Sequence, residues 1–168
     1  MTDVAADAPE PRRETLASVA AQVGAIDTLI GLAQCSISVF DADLSGMGWN
    51  GATRADRVAA FLKSAAGASL RIVVHDTGWI ERSCPRITGL LKYYSHAMAI
   101  CRTGEEAKHA TDALVIVDGR HFLHRFDVAE PRAVFALDAP AEAKALVLRF
   151  DAIWADAEPG ITATVLGL

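Results

Sequence analysis

Apolar residues recur along the chain with two alternating periods, one of a helix and one of a strand. From Arg13 to Gln34 they fall at Leu16, Val19, Ala20, Val23, Ile26, Leu29, Ile30 and Ala33. That spacing of three and four puts one stripe on one helical face and predicts a helix over 13–34, weakened in its middle by Gly24. Ser36 to Leu44 switches to a strand-like run through Ile37, Val39 and Phe40. Thr53 to Ala66 returns to the helical period, with Thr53 and Asp56 spaced as a capping box. Leu70 to His75 is a short, branched, apolar strand closed by Asp76, and Pro85 suits the first turn of a helix reaching Tyr94. Further strands are predicted at Ala97–Cys101, Ala113–Val117, His121–Phe126 and Arg132–Leu137. A closing helix runs from Pro140 to Asp156, where Pro159-Gly160 stops it. Strands separated by amphipathic helices, then consecutive strands, then a final helix predict an α/β domain with a mixed β-sheet flanked by helices. The domain is expected over 13–168, behind a disordered tail over 1–12 rich in Ala, Pro and acid.

Composition narrows the partners. The 168 residues are 52% hydrophobic and 22% charged, ordinary for one soluble globular domain. A net charge of −5 disfavours adhesion to nucleic acid, and no basic stripe offsets it. Cys35, Cys84 and Cys101 form no paired framework and no zinc ribbon, which fits a reducing cytosol. No run approaches the roughly 18 apolar residues that cross a bilayer, so neither a membrane nor a bound cofactor is expected.

The most informative stretch is Thr111-Asp112-Ala113-Leu114-Val115-Ile116-Val117-Asp118-Gly119, an apolar strand running into Asp-Gly. It resembles the motif strand of the phospholipase D superfamily, His-x-Lys-x-x-x-x-Asp-Gly, with Asp118-Gly119 as its anchor. In that register the histidine position is Thr111 and the lysine position is Ala113. Where active members carry Gly-Ser-x-Asn, this chain has Arg125-Phe126-Asp127-Val128. The order of elements over residues 13–156 is that of one phospholipase D half. The resemblance therefore implies a half-domain scaffold without the phosphorus-attacking histidine and the charge-stabilising lysine. It also implies a paired assembly, since active relatives join two halves: a homodimer, or a complex with another chain, acting as a binding, regulatory or assembly module. Lys108 and His109 lie close upstream, but their order is reversed and their spacing differs from the motif, so a solvated loop or short helix over 104–110 is expected. Residual phosphodiester hydrolysis by a dimer, using Thr111, His109 or a partner's residues, is the enzymatic alternative. Asp118 has a plain structural role open to it, because Asp-Gly makes a good turn.

Other constellations carry less. Gly46, Gly48 and Gly51 match G-x-G-x-x-G between a strand and a helix, the dinucleotide fingerprint, with Asp76 ending the next strand. Asp41, Asp43 and Ser45 intervene where the first glycine should follow the strand, and the carboxylates would repel a phosphate. Nucleotide binding at 46–51 stands as a second alternative. His121 and His124 lie three apart on a strand and point to opposite faces, against a shared metal. His75-Asp76, His96 and Cys84 could meet at one sheet edge as a Cys-His pair, with Cys84 more simply a helix-start residue. The aromatic residues Trp79, Tyr93, Tyr94, Phe150 and Trp154 read as core or interface.

Overall fold

The computed structural model describes residues 8–64 and 66–163. In chain order the elements are β1 (Arg12–Leu16), α1 (Val19–Leu32), β2 (Ser36–Asp41), α2 (Ala52–Ser64), β3 (Ser69–Val74), α3 (Gly78–Ser83) and α4 (Pro85–Tyr93). They continue with β4 (Met98–Arg102), β5 (Ala113–Val117), β6 (His121–Arg125), β7 (Ala133–Leu137), α5 (Pro140–Asp156) and β8 (Glu158–Ile161). The strands form one mixed sheet in the order β1-β7-β6-β5-β2-β3-β4-β8. β2, β3 and β4 run parallel because helices connect them, whereas β5, β6 and β7 follow one another through short turns and pair antiparallel. The α/β architecture with a mixed sheet flanked by helices is as expected.

Alternation along each strand divides the interior into two cores. Ile37 and Val39 of β2, Val115 and Val117 of β5 and Ile72 of β3 face α1, α2, α3 and α4. Phe40, Leu114, Ile116, Val73 and Phe122 face α5, where Ala143, Phe150 and Ile153 cover them.

The predicted helix over 13–34 is corrected at its start. Arg12–Leu16 is a strand on the sheet edge, registered antiparallel with β7 from Arg12↔Leu137 to Leu16↔Ala133. The helix begins only after Ser18, whose hydroxyl accepts the Ala21 N–H at 3.1 Å as an N-cap. Thr53 and Asp56 do not form a capping box, because α2 starts at Ala52 and both residues lie inside it. α5 spans Pro140–Asp156 as expected, but Pro159-Gly160 lie beyond it in β8, paired with β4. An edge strand tolerates a proline that cannot donate to the ladder. Residues 1–7 of the tail expected over 1–12, and the domain's last residues, 164–168, lie outside the described residues.

Candidate functional site

β5 enters the sheet at Thr111-Asp112-Ala113 and leaves it at Asp118. Alternation sends the first three side chains to different environments.

Ala113 is half-buried and lines a cavity of about 20 Å³ with Gln22, Asp41, Met47, Trp49 and Arg125. That is room for about one water molecule. Gln22 is fully buried; its amide donates to Pro131 O at 2.8 Å, while its Oε1 has no hydrogen-bond partner among the described residues. Asp41 ends β2 and accepts the Ala42 N–H at 2.6 Å. Burial raises its pKa from the usual 3.8 to about 6, against the pull of the Ala42 bond and with further upward pressure from Asp43. Arg125 fastens the loop after β6 by donating to Glu130 O at 2.9 Å and Val128 O at 2.6 Å, and it reaches Met47 Sδ at 3.8 Å. Thr111 is exposed, and its carbonyl accepts the Val128 N–H at 2.8 Å.

The opposite face of the same strand carries an ionic cluster. Asp112 is buried and accepts from Arg149 Nε at 2.9 Å and from His124 Nε2 at 3.3 Å. Burial pushes its carboxyl upward, but the hydrogen bonds from His124 and Arg149 outweigh it and hold the group well below the usual range.

Asp118, at φ 55°, accepts the backbone N–H groups of Gln34 (2.9 Å), Cys35 (2.7 Å) and Ser36 (2.9 Å). One carboxylate thus fixes the connection from α1 into β2, which is a structural duty.

Lys108 and His109 sit exposed on the turn over 105–109; Lys108 pairs with Glu105 at 2.5 Å, and neither lines the cavity beside Ala113.

The glycine loop folds inward. Gly46 and Gly48 hold φ of 73° and 79°, and a Cβ at Gly48 would meet Val23 Cγ1 at 3.1 Å. Met47 and Trp49 are buried beneath it. Arg54, only 2% exposed, staples the loop: it donates to Met47 O, to Val23 O at 3.0 Å and to Asp27 at 2.8 Å, and stacks over Trp49 at 5.0 Å. Gly48 therefore packs against Val23 of α1 and Arg54 of α2, while Gly46 and Gly51 stay exposed.

The Cys-His pair does not form. Cys84 is buried in the core, where burial raises its thiol pKa. His96 is exposed beside Tyr94, and His75 is held between Thr103 Oγ1 at 2.8 Å and Ala110 O at 2.7 Å. His121 and His124 separate as their spacing predicts: His121 accepts the Asp138 N–H at 2.8 Å, while His124 joins Asp112. Among the described residues no cluster suits a metal ion, and no helix is long and apolar enough to cross a membrane.

Residues that pattern-reading passed over were Gln22, Asp41, Arg54, Asp112, Arg125 and Arg149. Arg54 and Gln22 had a readable signal, since each is a polar residue on an otherwise apolar helical stripe.

A family model described as a domain of unknown function (DUF7931) matches residues 18–163. No curated protein matches the sequence. Among solved structures, TrmBL2, an archaeal chromatin protein with a novel mode of DNA binding, superposes with a TM-score of 0.67 at 12% identity, over 94% of this chain and 57% of that one. Nuc from Salmonella typhimurium, a phospholipase D family member, gives 0.57 at 17% identity, over 91% of this chain and 100% of its own. NucT from Helicobacter pylori gives 0.61 at 13% identity, over 90% and 100%. The chain thus spans a little over half of TrmBL2 and the whole length of the other two, and the fold is phospholipase D-like.

Proposed function

The chain belongs to the DUF7931 family, and we propose that it is a non-catalytic phospholipase D-like module that works by binding another protein surface, in the first instance a second copy of itself. One observation carries this reading. The positions assigned to nucleophile and cation hold Thr111, which is exposed, and Ala113, which lines a cavity with room for about one water molecule. Phosphodiester cleavage needs an attacking group, an acid and cations around the phosphoryl oxygens. Thr111 has no base at hand among the described residues, and Arg125, the cation beside Ala113, is spent on two carbonyls of its own loop. His109 and Lys108 do not replace what is missing. Phe126, 52% exposed where relatives place their phosphate-binding turn, offers an apolar contact instead.

The test has two arms. With a chromogenic phosphodiester the purified protein is expected to show no turnover above that of His109→Ala and Thr111→Ala variants. Turnover abolished by either substitution would restore the enzymatic alternative. In light scattering at micromolar concentration a dimer is expected; a monomer rules out self-pairing. Binding at the glycine loop is the lesser reading, and thermal stabilisation by ATP or NAD would revive it.

A further inference from the structure

At the far end of β5 from Thr111, a pocket of about 530 Å³ opens beneath the Asp118-Gly119 turn. Its volume is that of a small-metabolite site. Among the residues at its wall are Gly31, Leu32, Cys35, Arg120, His121 and Asp138. Three features make its chemistry specific.

First, Gln34, Cys35 and Ser36 give their N–H groups to Asp118. α1 ends at the pocket, where Gly31, Leu32 and Ala33 stand at the wall; the Ala33 N–H returns to Ile30 O at 3.2 Å, the next three amides are taken by Asp118, and no basic residue stands in the last turn. A helix C-terminus left in this state carries partial negative charge and attracts cations. Second, among the described residues the charged side chains at the wall are two carboxylates, Asp118 and Asp138, against the single cation Arg120, which pairs with Asp138 at 2.9 Å. The balance is negative. Third, His121 is only 4% exposed, and its Nδ1 accepts the Asp138 N–H at 2.8 Å. Burial, the largest influence, lowers its pKa, so the ring is neutral with its proton on Nε2. That N–H has no hydrogen-bond partner among the described residues and belongs to a side chain lining the pocket.

We propose that this pocket binds a small primary amine that also carries a hydrogen-bond acceptor, of the amino-alcohol class. The ammonium donates to the end of α1 and to Asp138, and the hydroxyl accepts from His121 Nε2–H. The site is separate from the Thr111 end of the strand and stands whether or not that end is catalytic.

Ethanolamine is the smallest probe with both groups, and ethylene glycol is its uncharged counterpart. Titration of each into the full chain, read from the His121 ring signals by NMR, is expected to give saturable shifts with ethanolamine at a Kd on the order of 1–10 mM, fitting so few ligand atoms. Ethylene glycol is expected to bind about tenfold more weakly, a step of about 1.4 kcal/mol. Asp138→Asn, which keeps a residue type that tolerates the observed φ of 49°, is expected to weaken ethanolamine about tenfold with the amide spectrum otherwise unchanged. His121→Asn, retaining an acceptor for the Asp138 N–H, is expected to do likewise, read from the shifts of Cys35 and Asp138. No saturable shift at His121, or equal binding of the two probes, overturns the proposal. Because the readout is binding and not turnover, its failure is distinguishable from failure of the functional reading above.

Discussion

Two buried charges decide how individual residues hold the scaffold together. Arg54 lies in the core with every bonded partner supplied by α1 or the glycine loop. Arg54→Met would leave those carbonyls and Asp27 without donors and is expected to cost ~3–5 kcal/mol in urea unfolding. Arg54→Lys would recover little, since an ammonium cannot spread over the same fork and ring face. Asp41 acts in the opposite sense. Its folded pKa of about 6 lies above the ordinary 3.8, so the fold favours the protonated acid. That stabilisation is complete below about 3.8 and is lost as pH rises through 6. Asp41→Asn is expected to match the parent near pH 4 and to exceed it by ~1–3 kcal/mol at pH 8, measured as paired unfolding curves. Equal pH profiles for the two proteins would refute this. Asp112 is depressed by its partners, so its contribution is present above the usual carboxylate range and fades as pH falls below it. These roles were half legible in the sequence: Arg54 interrupts an apolar stripe, but nothing local says that Asp41 will share a cavity with residues from α1, the glycine loop and β6.

At the scale of elements, the long amphipathic helices and the branched strands β3 and β5 were readable because their periods are set by their own side chains. The misreadings share one cause: short elements held by partners distant in sequence. β1 exists because β7, more than a hundred residues later, offers its edge, and Leu16 happened to continue the spacing of α1. α3, of six residues, is too short for a period to declare itself. β8 reads as a helix stop from its Pro-Gly, yet Gly160 is there because a Cβ would come within 2.7 Å of Ile100 O. Gly160→Ala is accordingly expected to lift β8 from β4 and to remove amide protection at that edge alone. Hydrogen exchange would show it, and unchanged protection of β8 would contradict the close approach. The strand β5 over Ala113–Val117 was legible in the sequence, but the fold of the glycine loop was not. It depends on Arg54 and on the positive φ of Leu44, Gly46 and Gly48.

For the whole molecule, the resemblance in fold to a DNA-binding chromatin protein makes duplex DNA a direct probe. The net charge is −5, and several arginines are already paired with carboxylates: Arg12 with Glu14, Arg13 with Glu142, Arg71 with Asp151 and Arg149 with Asp112. Retention in a gel-shift assay at physiological salt is expected to be absent, and a retained complex with a steep salt dependence would overturn that expectation. The three backbone amides gathered by Asp118 have a wider consequence. A carboxylate with that duty anchors the crossover from α1 into β2 whatever side chains stand at the other end of β5. The Asp-Gly pair is therefore accounted for by anchoring alone and by itself carries no information about cleavage.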